Sequence, residues 1–354
     1  MNLKQILLPI SFLIFATSCA KVANSQTELS SKTSSSTEQP SAVEQPLEVV
    51  SPTAKICSKL DLTGIKWPAE IGSGNWSTHF ALALNLTGSF EGREGWKNIT
   101  GNFDGQGMSL GLMQQNFGQG SLQPLLIKMF KQDNASLARN FVNADYLSLK
   151  VMLEDWQNGA ISIPNVKSKV NPNELFPEVQ ALNDLDTNPH KFASPLAAAQ
   201  NNVSVDWAKN KILSGTNIIA RWKTAFQNTS VSAAYRTLQV EAGTAMFLKA
   251  KKYKETFKFT ELRSLLVMYD IVVQNGGFTA THLTIFNNWL AKNPKATEQA
   301  RLLALLDARL TTVNPTYVED VRARKSSIIY GLGNVHGSAR NYPKEFCYSP
   351  LISI

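Results

Sequence analysis

Two neighbouring stretches of the sequence, each with an acidic side chain, decide the fold. Residues 90–92 read Phe-Glu-Gly, and residues 102–114 read Asn-Phe-Asp-Gly-Gln-Gly-Met-Ser-Leu-Gly-Leu-Met-Gln. Glu91 closes an apolar helical pattern, and Asp104 opens a glycine-rich extended run. Two carboxylates on opposite walls of a cleft are the minimum for cutting a glycosidic bond, because one protonates the leaving oxygen while the other activates water.

The residues before Glu91 show helical spacing, and those after it do not. Apolar side chains recur at intervals of three and four residues, which predicts one face of a helix. They are Trp76, Phe80, Ala83, Leu84 and Thr87. Gly88 is expected to end this helix, which would place Glu91 just beyond it. The closely spaced glycines from Gly95 to Gly111 favour a small irregular sheet or hairpin around Asp104.

The rest of the chain predicts an α+β fold that is mostly helical. A helix is expected at Leu122–Phe130, with Ser121 as its cap. Further helical patterns cover Leu196–Leu213, Asn217–Gln227, Ala233–Thr256, Leu283–Lys292 and Tyr317–Tyr330, with apolar faces also at 262–269 and 303–310. Pro164–Pro195, rich in Asn and Pro, is expected to interrupt the helices as a loop between two lobes.

The N-terminal residues have the pattern of a secretory signal. Lys4 precedes an apolar run, Ile6–Phe15, that is too short to span a membrane. The small residues before Cys19 resemble the lipobox of bacterial lipoproteins, which implies a lipidated Cys19; a plain signal peptide is the alternative. The predicted organisation is a signal peptide at 1–18, a lipidated flexible linker at 19–52 and a folded domain at 53–354. Such a protein would be anchored in the bacterial cell envelope, at the outer membrane on its periplasmic side or at the cell surface.

Charge and cysteine content narrow the function classes. The chain carries a net charge of +8, of which residues 1–52 contribute −1 and the remainder +9. A basic folded domain in the cell envelope is suited to binding an anionic polymer or a membrane surface. Nucleic acid is disfavoured as a partner because the chain has a secretory signal and lacks a nucleic-acid-binding motif. Cys57 and Cys347 form an even pair that predicts a disulfide, with two unpaired thiols as the alternative. The histidines are isolated, so no metal site is predicted. No cofactor-binding motif occurs in the sequence. The protein is expected to be a monomer.

Residues 104–111 read Asp-Gly-Gln-Gly-Met-Ser-Leu-Gly and resemble the D-G-x-G-x-T-x-G stretch of the family 46 chitosanases. The order of parts, a helix ending in glutamate, a small sheet with an aspartate and then a helical body, is similar to that of the lysozyme-like superfamily. The resemblance implies that Glu91 is the general acid, that Asp104 is the general base and that Ser109 helps to hold the attacking water. A general acid at neutral pH requires an apolar neighbourhood, which Phe90 and the helix face would supply.

Two further segments resemble parts of related enzymes. Residues 269–276 look like a second chitosanase segment, whose aspartate belongs to a buried ion-pair network; this implies that Asp270 pairs with Arg322 and Arg324. Residues 111–114 read Gly-Leu-Met-Gln and resemble the G-L-M-Q of lytic transglycosylases, which use a single glutamate as acid and then base.

Four residues near the two carboxylates are candidate substrate-binding residues: Trp96, Gln106, Gln114 and Asn116. Trp96 is either a stacking platform for a pyranose ring or a core residue. The sequence thus predicts an inverting glycoside hydrolase acting on β-1,4 bonds of an amino-sugar polymer, peptidoglycan or chitosan, with its two carboxyl groups roughly 6.5–9.5 Å apart. A non-catalytic wall-binding lipoprotein and a lytic transglycosylase are the alternatives.

Overall fold

The computed structural model describes residues 60–72, 75–162 and 195–354. The predicted signal peptide, the linker, Cys19 and Cys57 lie outside these residues, as does nearly all of the predicted loop Pro164–Pro195. The Cys57–Cys347 disulfide therefore stays a prediction. No helix among the described residues has both the length and the apolarity that crossing a bilayer requires.

The fold is α+β and mostly helical, as predicted. The helices are α1 (Trp76–Glu91), α2 (Gln123–Gln132), α3 (Asn134–Asn140), α4 (Asn143–Ser162), α5 (Pro195–Lys211), α6 (Ala220–Ser230), α7 (Ala233–Thr256), α8 (Leu262–Asn275), α9 (Ala280–Lys292), α10 (Glu298–Leu310), α11 (Val318–Tyr330) and α12 (Tyr342–Phe346). The strands are β1 (Ile99–Thr100), β2 (Ser109–Leu110), β3 (Gln115–Asn116), β4 (Leu213–Ser214), β5 (Asn217–Ile218), β6 (Leu332–Val335) and β7 (Ser338–Asn341). The turns Ala69–Ile71, Gly95–Lys97 and Pro315–Tyr317 are 3₁₀-helical.

Two hydrophobic clusters form the core, and α7 belongs to both. The first cluster packs α1, the second half of α7, α8, α10 and α11 together. The second joins α2 to α6 with the beginning of α7. Helix α8 is central to the first cluster, since every residue of Leu262–Val272 is buried. One long helix shared by two cores fixes their relative position.

The small sheet lies at the border between the two clusters. Strands β1, β2 and β3 are antiparallel and pair in sequence order. Leu110 packs in the second cluster and Leu112 in the first, so the chain crosses between them at the β2–β3 turn. Gly111 has a φ of 85° there, and a Cβ would lie 2.1 Å from Gln239 Oε1 of α7. The same oxygen accepts a hydrogen bond from Leu112 N at 3.0 Å, which anchors the turn to α7.

Helix α1 is longer than predicted, and Gly88 does not end it. The helix continues to Glu91, which is its last residue, and Gly92 follows it. Gly88 instead allows close packing, because a Cβ at this position would lie 2.7 Å from Leu112 Cδ2. Glu91 therefore belongs to the helix, and the helix backbone sets the direction of its side chain.

Other boundaries also differ from the prediction. Ser121 does not cap α2, since its Oγ accepts a hydrogen bond from Asn116 N at 2.9 Å. The predicted helix Asn217–Gln227 begins with strand β5, and α6 starts only at Ala220. The hairpins β4–β5 and β6–β7 were not predicted at all.

Candidate active site

A cleft of about 820 Å³ brings the predicted site residues together. The cleft is lined by the end of α1, the segment after it and the β6–β7 hairpin. The small sheet and its loops line it as well. Glu91 comes from the end of α1, Asp104 from the loop between β1 and β2, and Ser109 from β2. The two carboxylates thus belong to one cleft and come from different structural elements.

Glu91 is held by one oxygen. Its Oε1 accepts a hydrogen bond from Arg324 Nη1 at 2.9 Å, and its side chain is 21% exposed. Across the described part of the chain, Oε2 has no hydrogen-bond partner. Arg324 also stacks on the ring of Phe90, with its guanidinium carbon 4.2 Å from the ring centre. One carboxylate oxygen is therefore fixed, while the other is available to the cleft.

Behind Glu91 lies a buried ion-pair network centred on Asp270. Arg324 donates from Nη2 to Asp270 Oδ1 at 2.7 Å and from Nε to Oδ2 at 3.1 Å, and both side chains are almost completely buried. Burial alone would raise the pKa of Asp270, but Arg324 and Lys325 outweigh it and lower the pKa to about 2. Asp270 is thus ionised and pairs with both Arg324 and Lys325, so that Glu91 contacts a guanidinium that is part of a buried network and not an isolated cation.

The second cation of this network is Lys325, and the prediction of Arg322 was wrong. Lys325 Nζ contacts Asp270 Oδ2 and donates to Gln274 Oε1 at 2.5 Å. Burial lowers the pKa of the Lys325 ammonium to about 7, and the pairing with Asp270 offsets this only in part. Arg322 is exposed and pairs with Asp307 on the surface.

The apolar spacing of α11 contained the signal that the prediction missed. Val321, Arg324, Lys325 and Ile328 are buried and fall at i, i+3, i+4 and i+7, which is one helix face. Arg322 lies off this face. Reading the charged residues as part of the periodic face would have selected Arg324 and Lys325 together.

Asp104 lies in a loop with fixed ends. Its Oδ1 accepts a hydrogen bond from Gln106 N at 3.1 Å. Gly107 N donates to Asn102 Oδ1 at 2.7 Å, which closes the loop. Asn102 N donates to Thr216 O at 2.9 Å, which ties the loop to the β4–β5 turn. The carboxylate is half-buried and reaches the cleft, so it can contact water there.

Ser109 lines the same cleft from the middle strand of the sheet. It pairs with Thr100 on β1 and with Asn116 on β3, so its position is fixed by both neighbours. Its side chain is largely buried, and its hydroxyl has no hydrogen-bond partner among the residues that the structure describes. A free hydroxyl on a rigid strand can hold a water molecule.

The predicted substrate-binding amides divide into two groups. Gln114 accepts from Thr100 Oγ1 at 2.6 Å and donates to Gly111 O at 2.8 Å, so its amide is engaged within the protein. Asn116 is buried and its Oδ1 accepts from Gln119 N at 2.8 Å. These two residues shape the wall of the cleft. Gln106 also lines the cleft, and its side-chain amide has no partner in the described ranges.

Trp96 is not a stacking platform, so that part of the prediction was wrong. Its side chain is only 4% exposed and packs in the first hydrophobic cluster. Its indole Nε1 donates to Asp61 O at 3.0 Å. Phe103, directly before Asp104, is instead the exposed aromatic side chain of the cleft. An apolar ring in a polar, glycine-rich turn was the sequence signal for it.

The β6–β7 hairpin adds residues that the sequence interpretation did not include. Arg340 Nη2 contacts Glu345 Oε2 at 2.9 Å and donates to Ser89 Oγ at 2.8 Å. Its guanidinium carbon lies 5.1 Å from the centre of the Phe90 ring. The hairpin is thereby attached to the end of α1, next to Glu91.

The charges of the cleft differ in sign from the net charge of the chain. Its acidic lining residues are Glu91, Glu94, Asp104 and Glu345, whereas its basic ones are Arg93 and Arg340. Most of the excess positive charge therefore lies on other surfaces. Among the described residues, no three His, Cys, Asp or Glu side chains are grouped so that they could bind a metal ion.

No protein-family model matches this chain, and no curated protein matches it either. The chemistry of the cleft is therefore inferred from its own geometry. Two carboxylates in one cleft, one held by a buried ion pair and one in a polar loop, suit acid–base chemistry with water.

Proposed function

We propose that this protein is an inverting glycoside hydrolase that cleaves β-1,4 bonds of an amino-sugar polymer. The observation that carries the proposal is the placement of Glu91 and Asp104 on the walls of one cleft, in different surroundings. Pairs of carboxyl groups in different environments are how proteins divide acid and base roles. The lysozyme-like two-lobed fold is part of the proposal, and the two hydrophobic clusters joined by α7 support it.

Glu91 is assigned as the general acid. Arg324 fixes Oε1, which leaves Oε2 to give its proton to the leaving glycosidic oxygen. Because Arg324 is itself paired with Asp270, the network orients Glu91 without placing an unpaired cation against it. Glu91 also lies at the end of a buried helix, so its backbone is rigid. Positioning of this kind is what general acid catalysis requires.

Asp104 is assigned as the general base. Its Oδ1 is engaged by the Gln106 amide, and the other oxygen can accept a proton from water in the cleft. Ser109 lines the same cleft, its hydroxyl has no hydrogen-bond partner among the described residues, and it would hold the same water. Attack from the face opposite to the leaving group inverts the anomeric carbon.

The proposed substrates are peptidoglycan and chitosan. Both are β-1,4-linked amino-sugar polymers, and an envelope location would favour the first. The chain is basic, but the lining of the cleft is acidic, so the net charge of the chain gives no preference for the anionic polymer as substrate.

The proposal is tested by measuring new reducing ends from chitosan and from peptidoglycan sacculi. Wild type, Glu91→Gln, Asp104→Asn and Glu94→Gln are compared, the last as a control because Glu94 is a third acidic residue of the cleft. We expect the first two substitutions to lower the rate by about 10²–10⁴-fold. Glu94→Gln should stay within about threefold, and the anomer formed first should be the inverted one by NMR.

Three outcomes would contradict the proposal. Binding of glycan without release of reducing ends by wild type would indicate a wall-binding module. Anhydro-sugar products, with activity kept in Asp104→Asn, would indicate a lytic transglycosylase. An equal loss in Glu94→Gln would show that the cleft needs its overall charge and not two assigned carboxylates.

A further inference from the structure

Phe103 is an exposed phenyl side chain in a cleft whose other phenyl and indole rings are covered. It is 44% exposed, and of the exposed large hydrophobic residues in the described ranges it alone lines this cleft. A large apolar side chain left partly in water forgoes some of the favourable free energy that burial would give. Exposed apolar surface inside a cleft therefore indicates contact with a ligand.

The other phenyl and indole rings of the cleft cannot offer a face to a ligand. Phe90 is contacted by the guanidinium groups of Arg324 and Arg340, at 4.2 and 5.1 Å. Trp96 and Phe346 are 4% and 2% exposed and belong to the hydrophobic core. Phe103 is thus the ring that is available for stacking.

Phe103 lies in a loop whose backbone is held by hydrogen bonds. Asn102, directly before it, donates through its backbone to Thr216 O at 2.9 Å. Asn102 also accepts from Gly107 N at 2.7 Å, and Asp104 accepts from Gln106 N at 3.1 Å. Both neighbours of Phe103 are therefore hydrogen-bonded, and the ring is presented from a fixed backbone.

The chemistry of a pyranose ring fits such a surface. In a β-1,4-linked amino sugar the large substituents are equatorial, so the ring faces expose C–H groups. The face of an aromatic ring carries negative charge and attracts these slightly positive groups, while water is displaced from both apolar surfaces. Hydroxyl and amino groups remain at the edge of the sugar, within reach of the polar walls.

We propose that Phe103 is the sugar-stacking platform of the cleft and that it places one pyranose ring beside Asp104. The inference rests on the proposed glycan-cleaving function and specifies which side chain holds the sugar. Since Phe103 and Asp104 are adjacent in a closed loop, a sugar stacked on the ring would be held at a fixed distance from the carboxylate that activates water. Phe103 is then a binding residue and not a catalytic one.

The experiment measures binding in a protein that cannot turn over its ligand. Glu91→Gln protein, with or without a second substitution, is titrated calorimetrically with a chitosan hexamer and with soluble uncrosslinked peptidoglycan strands. Phe103→Ala should weaken the binding of at least one of these glycans about tenfold, whereas Phe103→Tyr should keep it within about twofold. Tyr330→Ala is the matched control, because Tyr330 is an aromatic residue 41% exposed outside the cleft.

A second measurement uses the active protein. Phe103→Ala should raise KM about tenfold with kcat changed less than threefold, since stacking is expected equally in the ground and transition states. Equal affinities of the Phe103→Ala and parent proteins for both glycans would overturn the platform and leave the hydrolase proposal intact. If the Glu91→Gln protein binds neither glycan, the proposed function and the platform are overturned together.

Discussion

Replacing Asp270 by Asn should destabilise the protein strongly, because it removes the only carboxylate between two buried cations of the network. Asp270 is 0% exposed, and it accepts from Arg324 at 2.7 and 3.1 Å and from Lys325. Asn would keep one acceptor oxygen but would direct an NH₂ group toward donors. Breaking a buried ion pair by removing one partner costs about 3–5 kcal/mol. Since Lys325 can lose its proton when Asp270 is neutral, we expect about 3 kcal/mol.

The measurement is urea unfolding at pH 7, followed by far-UV circular dichroism, with the free energy extrapolated to water. Asp307→Asn provides the matched control. It makes the same chemical change in a pair with Arg322, whose side chain is 42% exposed while that of Asp307 is 59% exposed. Exposed pairs contribute about 0.2–1 kcal/mol, so the control should lose less than that upper value.

Activity provides a second readout for the same pair of variants. Asp270→Asn leaves Arg324 without its bidentate partner, so Glu91 loses its fixed orientation. We expect kcat to fall at least tenfold under conditions where the variant is still folded, while Asp307→Asn keeps it. A loss of stability in Asp270→Asn no larger than in Asp307→Asn would refute the role of the buried network.

Two further changes test the support of the cleft and the state of its buried lysine. Gly101→Ala would place a Cβ 2.0 Å from Thr216 O, so the loop that carries Asp104 must shift. We expect kcat to fall at least tenfold and urea unfolding to show about 1–3 kcal/mol of destabilisation. Unchanged activity would show that the position of this loop is not needed. Burial lowers the pKa of Lys325 to about 7, whereas the ordinary lysine pKa is 10.5. Between these two pH values the unfolded chain therefore binds more protons than the folded one. The free energy of unfolding of wild type should rise with pH in this range by up to about 1.4 kcal/mol per pH unit. Lys325→Met should lack this rise between pH 7.5 and 9, and parallel curves for the two proteins would contradict the lowered pKa.

Local sequence patterns predicted helix α1 and the small sheet because both depend on short-range rules. The apolar spacing from Trp76 to Thr87 identified α1, and the glycine spacing after Gly95 excluded a helix where β1 to β3 lie. The prediction of Ala233–Thr256 as a helix matches α7 at both ends. Periodicity and backbone freedom are properties of neighbouring residues, so one sequence is sufficient to read them.

The features that were missed depend on contacts between distant residues. Gly88 was interpreted as a helix end, yet it is glycine because Leu112 packs against it across the core. Trp96 was considered for sugar binding, yet its indole is directed to the Asp61 carbonyl. The β6–β7 hairpin is attached near the cleft by a hydrogen bond from Arg340 to Ser89, 251 positions earlier in the chain. Such contacts are set by tertiary packing, which local propensity does not encode.

The net charge of the chain and the charge of the cleft are different quantities, for a reason of distance. A net charge of +9 beyond residue 52 describes the long-range field, which salt screens over about 8 Å at physiological ionic strength. A sugar in the cleft meets the lining residues within that distance, where four carboxylates face two arginines. Glu345 is compensated by Arg340, and Glu91 accepts a hydrogen bond from Arg324. If the proposed function holds, the choice between a cationic and an anionic glycan therefore depends on the few charges left in the cleft more than on the basic surfaces elsewhere.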